Sequence, residues 1–211
     1  MLKENVEKIL DEIRGGNDRG EEITLVAATK TVPAETINEA ISYGVGVVAE
    51  NRVQEFREKT ELIVGAKQHF IGHLQTNKVK HIIGKTVLIH SLDSLQLAAE
   101  IQKHSENAGV ITNCLVQVNS TGIEDRFGVP YDSLSSFIDE VEKNMPNIRL
   151  CGMMGMAPKD ENPTPYFEKL HEAFLNSKLS GGILSMGMSA DFKEALACGS
   201  TMVRIGRIIF E

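Results

Sequence analysis

The sequence has no tryptophan, and aromatic residues make up only 5% of its 211 positions. Cysteine is scarce too: Cys114, Cys151 and Cys198 stand far apart with no C-x-x-C pair. That argues against a disulfide framework or a zinc site and fits reduced thiols in a cytosolic protein. No apolar run approaches the ~20 residues that a membrane-spanning helix needs. Met1 to Arg14 mixes acidic and basic residues on an amphipathic pattern and lacks the apolar centre of a signal peptide. Positive charge is in deficit, 22 Lys and Arg against 29 Asp and Glu, for a net charge of −7 and a pI near 5.4. A broad nucleic-acid surface does not fit that balance. Low-complexity segments are absent. What the chain does have is a 42% hydrophobic content, which excludes disorder. Its length suits one well-cored domain, 1–211, and is short for two.

The apolar residues fall into short continuous blocks separated by helical patterns. Val6, Ile9, Leu10 and Ile13 mark one face of a first helix that stops at Gly15-Gly16. Strands are expected at 23–28, 45–48, 68–71, 86–90, 112–118, 148–151, 182–185 and 201–205. Helices are expected at 34–43, 53–63, 75–83, 94–107, 131–144, 164–177 and 190–198, with Ser91 and Asp93 as candidate caps for 94–107. Eight buried strands alternating with helices predict an α/β protein, a single closed (β/α)8 barrel of the TIM type. Only Gly206 to Glu211 follows the last strand, so no eighth helix is expected there and the N-terminal helix is expected to take its place on the wall. An open Rossmann-like sheet is the alternative, but no G-x-G-x-x-G follows the first strand.

In such a barrel the chemistry sits where strands end. The first strand runs into Thr29-Lys30 before Pro33 opens the next helix. A buried lysine there would have its pKa lowered, and a neutral amine can form a Schiff base with an aldehyde; otherwise Lys30 merely snorkels to water. The last two strands run into Met188-Ser189-Ala190-Asp191 and Arg204-Ile205-Gly206-Arg207. Ser189 can cap a helix and offer a hydroxyl, Gly206 lets backbone approach a phosphate, and Arg207 adds charge. Read blandly, Ser189 is only a cap, Gly206 only a turn, and Arg204 only a partner for inner carboxylates. Together, a phosphate site facing a lysine suggests a phosphorylated aldehyde, and pyridoxal 5′-phosphate (PLP) fits.

Longer blocks carry a family resemblance. They are Leu25 to Lys30, Glu50 to Glu55 (ENRVQE), His69 to Lys78 (HFIGHLQTNK), His90 to Asp93, Gly152 to Ala157, Leu184 to Phe192 and Val203 to Phe210. The chain resembles the pyridoxal phosphate homeostasis proteins of the YggS/PROSC type, which are themselves similar to the barrel domain of alanine racemase. The resemblance implies an alanine racemase-like, fold type III barrel that binds PLP through a Schiff base on Lys30. It implies phosphate contacts from Ser189, Gly206 and Arg207, with Arg204 at the pyridine nitrogen and Asn51 beside the ring. Ala49 departs from the family's usual glycine and Arg126 from its usual lysine, and any C-terminal tail is missing.

The expected function is cytoplasmic PLP homeostasis by a monomeric carrier without robust turnover. Its partners would be PLP and apo PLP enzymes as recipients, with no nucleic acid, no membrane, no metal and no catalytic residues. An amino-acid racemase is the alternative, and a phosphosugar lyase or aldolase using Lys30 is a weaker one. His69, His73, His81 and His90 lack metal spacing, and the methionines Met153, Met154, Met156, Met186 and Met188 are expected to fill walls.

Overall fold

A computed structural model describes residues 1–123 and 126–211. Its strands are β1 (Thr24–Ala28), β2 (Val47–Glu50), β3 (Lys67–Phe70), β4 (Leu88–Leu92), β5 (Thr112–Gln117), β6 (Ile148–Met154), β7 (Ile183–Met188) and β8 (Met202–Ile205). All pair in parallel, in sequence order, and β8 closes onto β1. The helices are α1 (Leu2–Ile13), α2 (Ala34–Ser42), α3 (Val53–Lys59), α4 (Leu95–Ala108), α5 (Leu134–Asn144), α6 (Thr164–Leu175), α7 (Phe192–Ala197) and α8 (Arg207–Phe210). The fold is the expected (β/α)8 barrel.

Strand alternation sorts the side chains into two cores. Val26, Val47, Ala49, Leu88, Leu115, Met154 and Met202 form their own cluster, which fills the inside of the barrel. The alternate residues, such as Val203 and Ile205, pack outward against the helix ring. α1 buries Val6, Ile9 and Ile13 against Leu25, Ile205 and Ile209, and Asn5 donates to the Ile209 carbonyl at 3.2 Å. The N-terminal helix therefore stands where β8 meets β1. One expectation there is corrected: a single-turn helix, α8, does follow the last strand, because Ile209 is apolar enough to anchor it.

Other boundaries moved for local reasons. The segment expected as helix 75–83 is a 3-10 turn, Thr76–His81, which buries only Val79 and so lacks an apolar stripe. Helix 53–63 stops at Lys59. β6 runs through Gly152, where a Cβ would meet the Ile183 carbonyl oxygen at 1.9 Å. That glycine marks close strand packing, not a strand end. The cap of α4 is Ser94, whose hydroxyl accepts from the Leu97 N–H at 3.3 Å. Ser91 instead lies buried within β4, and Asp93 faces His73 at 3.3 Å.

Candidate functional site

β1 is hydrogen-bonded to β2 on one side and β8 on the other, with Ala27 opposite both Val48 and Ile205. Three residues further on, Lys30 stands at a tip flanked by Asn51 beyond β2 and Gly206 beyond β8. Met188 pairs with Arg204, which brings Ser189 to the same rim. Topology thus gathers four of the six expected residues, Lys30, Asn51, Ser189 and Gly206, at neighbouring strand ends, with Arg204 one level below.

Lys30 is exposed, not buried. What distinguishes it is the turn that carries it. Thr31 has φ of 63°, a left-handed conformation that strains a β-branched residue. The Thr31 N–H donates to Glu55 Oε2 at 2.7 Å. Lys59 Nζ donates to that same oxygen at 2.9 Å, to Glu50 Oε1 at 2.8 Å and to the Thr29 carbonyl at 3.0 Å. Thr29 Oγ1 completes the brace with a 2.7 Å bond to Glu50 Oε1. Burial would lower the Lys59 pKa, but its bonds to Glu50 and Glu55 outweigh that and raise it. For Glu55, burial pushes upward, and Lys59 with the Thr31 amide pulls the carboxyl net below its usual range. Glu50 was expected from sequence to cap or to orient its neighbours, but Glu55 and Lys59 were assigned no such role.

Asn51 sits against Gly72, where any Cβ would lie 1.8 Å from the Asn51 carbonyl oxygen; only glycine lets the β2 and β3 exits touch. The Asn51 Oδ1 atom is shielded from water and has no partner among the described residues. Ser189 caps no helix, contrary to expectation: its hydroxyl accepts from the Gly206 N–H at 3.4 Å, while Asp191 Oδ1 accepts from the Met188 N–H at 2.6 Å. Arg207 is exposed beside them at the start of α8.

Arg204 points into the barrel and is 5% exposed. Among the described residues it bonds no carboxylate, so the inner salt bridge weighed from sequence is not what holds it there. Its guanidinium donates to Ser185 Oγ at 2.6 Å, the Ser185 carbonyl at 2.9 Å and the Gly155 carbonyl at 3.0 Å. Burial brings its pKa down to about 10, with Asp191 opposing the shift. Ser185 Oγ lies 3.4 Å from His90 Nδ1, and His90 Nε2 lies 3.1 Å from His69 Nδ1. A guanidinium can only donate, so Arg204 donates to Ser185, while the directions of the Ser185–His90 and His90–His69 bonds follow from which nitrogen of each imidazole carries its proton. Burial brings the His69 pKa down to about 4 and that of His90 well below its usual value, so both imidazoles are neutral near pH 7. Chemically, the rim offers a primary amine on one side and a hydroxyl, a backbone N–H and a guanidinium for an anion on the other.

Residues 2–211 match the family described as alanine racemase, N-terminal domain. The pyridoxal phosphate homeostasis protein of Aquifex aeolicus is 41% identical over 220 aligned positions, covering 98% of this chain and 96% of that protein. PipY of Synechococcus elongatus, solved with PLP bound, is 26% identical and covers 100% of both chains with a TM-score of 0.89. Alanine racemase of Corynebacterium glutamicum, at 13% identity, matches 99% of this chain and 60% of its own with a TM-score of 0.73, which is a likeness of fold.

Proposed function

The chain belongs to the alanine racemase N-terminal domain family, among the pyridoxal phosphate homeostasis proteins, and on that premise we propose that it holds PLP at this rim and serves the cell's handling of that cofactor. The supporting observation is the juxtaposition itself. One exposed amine, Lys30, sits between an orphaned amide oxygen on Asn51 and an anion-ready cluster at Ser189, Gly206 and Arg207. The residues present fit the group. Asn51 Oδ1 is a shielded acceptor that no described residue satisfies, and an amine, a hydroxyl and guanidinium donors match an aldehyde and a phosphate.

When bound, PLP supplies an aldehyde that condenses reversibly with primary amines and a ring that withdraws electrons. In this reading Lys30 provides the amine, and the strained Thr31 turn with its Glu55–Lys59 brace fixes where that amine stands. Ser189, the Gly206 N–H and Arg207 bind the phosphate, while Arg204 keeps a positive charge near the pyridine nitrogen and disfavours its protonation.

The site favours carriage over turnover. Racemisation needs acid–base groups on both faces of a substrate, and Lys30 can serve only one. Of the three tyrosines, Tyr43 bonds Glu39 on the surface at 2.8 Å, Tyr166 bonds Glu161 on α6's outer side, and Tyr131 lies in a 3-10 turn outside the barrel. Lacking such a partner typically forfeits ~10²–10⁴-fold in rate. The carrier works as a monomer in the cytoplasm and passes PLP to apo enzymes. Among the described residues no helix is long and apolar enough to cross a membrane.

Borohydride treatment of protein loaded with PLP tests the assignment. The pyridoxyl mass should fall on the peptide containing Lys30 and vanish in Lys30→Ala; labelling of Lys78 or Lys159 would overturn it. In deuterated water, α-proton exchange of L- or D-alanine at many turnovers per second, lost in Lys30→Ala, would restore the racemase.

A further inference from the structure

Outside the barrel mouth, between α3 and the 3-10 turn Thr76–His81, the described surface encloses a concavity of about 670 Å³. Asn51 and His73 mark its edge toward the rim, so it adjoins the Lys30 site without containing it. Its charge opposes that of the molecule. The chain carries −7, yet Arg52, Arg57 and Lys78 line this groove against one carboxylate, Glu58. Arg52 has only a 3.8 Å contact with Glu55, and among the described residues Arg57 and Lys78 have no ion-pair partner. Glu58 already accepts from Gln54 at 3.1 Å. His81, at the groove's far end, has its pKa lowered by burial and then by Arg57, Lys80, Lys78 and Lys85, as expected of a ring in a positive field.

We propose that this groove is a binding site for a small phosphorylated compound carrying at least two negative charges, separate from the site at Lys30. Clustering cations costs self-repulsion that a net-negative chain could have cancelled with its surplus carboxylates, and here it has not. A flat basic patch would suit an acidic protein surface. A concavity of this size lies within the ~300–1,000 Å³ range of small-molecule pockets and encloses a compact ligand instead. Arg57 and Lys78 approach from opposite walls, α3 and the 3-10 turn, so one multiply charged anion can bridge them. Gln54 and Gln75 add side-chain amides for the polar body of such a ligand.

Titration calorimetry on the full chain at low salt, with ADP and with inorganic pyrophosphate as probes, tests this. Saturable one-to-one binding is expected, falling steeply with added salt. Arg57→Ser and Lys78→Ser should each weaken it about tenfold or more, and Arg57→Lys should recover most of the loss. Both serine variants alter exposed side chains, and unchanged circular dichroism will show that they fold. No saturable binding of either probe at millimolar concentration overturns the proposal. So does binding lost in Arg207→Ser but kept in Arg57→Ser, which would place the anion at the rim. Tighter binding of an oligoglutamate peptide than of both probes would overturn it in favour of an acidic protein partner.

Discussion

Lys59 and Arg204 are both cations drawn out of water, and the molecule treats them in opposite ways. Lys59, on the outer side of β2, is met by two carboxylates, Glu50 and Glu55, and its pKa rises. Arg204, inside the barrel, is met only by neutral oxygens, and its pKa falls to about 10. A cation neutralised in place is a fastener: its charge is spent on holding the Lys30 turn. One held by neutral dipoles keeps its charge for whatever approaches next, at the cost of its own desolvation. The first arrangement serves position and the second serves electrostatics.

The largest expected effect comes from breaking the fastener. Lys59→Met leaves Glu50 buried with an uncompensated carboxylate, and urea unfolding should show a loss of about 3–5 kcal/mol. A loss below about 1 kcal/mol would mean that the brace contributes only as a surface pair does.

Acid sharpens the contrast next. His69 and His90 are buried neutral, facing Lys67 and Arg204, with folded pKa values below the unfolded value of 6.5. The unfolded chain therefore binds more protons below that value. Stability present above pH 6.5 is lost as pH falls toward 4, by about 3 kcal/mol from His69. Glu55, whose pKa is lowered in the fold, loses its contribution only below about 4.5. Denaturation curves from pH 7 to 3 should thus decline in two stages, the histidine stage first. His69→Gln should remove its own part of the first stage and leave that of His90; a decline that begins only below pH 4.5 would contradict the neutral chain.

The smallest effect belongs to Arg204→Met. It leaves Ser185 and the Gly155 carbonyl unpaired, worth about 1–3 kcal/mol, but it also relieves a buried charge. The net loss in urea unfolding should be smaller than for Lys59→Met. A larger one would show that the guanidinium is structural glue like Lys59.

The barrel was legible in the sequence because eight apolar blocks alternate with helical patterns and no G-x-G-x-x-G follows the first. Lys30, Asn51, Ser189, Arg204, Gly206 and Arg207 were picked out in the sequence as strand-end residues and through motif blocks, and the topology brings them to one end of the barrel. The two supporting networks were not. Glu55 and Lys59 look like an ordinary i,i+4 pair on a solvated helix face, and nothing local says that Glu50 and the Thr31 amide complete them. His69 and His90 were examined for metal spacing, when their meaning is that both occupy inward positions on adjacent strands. That shared inward facing, with His69 in register two residues before His90, was the available signal. The link onward to Ser185 joins residues 95 apart in sequence, which no local pattern reveals. Ser189 was misread as a cap because its loop resembles a helix start, but α7 begins only at Phe192.

The row of bonds from Arg204 to His69 has a bearing on conduction. A hydrogen-bonded wire carries a proton only if every member can turn around after passing it on. At one end of this wire stands a group with no lone pair and no proton to spare near neutral pH, so no proton enters or leaves the row there. Arg204 can hold a field on whatever lies above it but cannot trade protons with it.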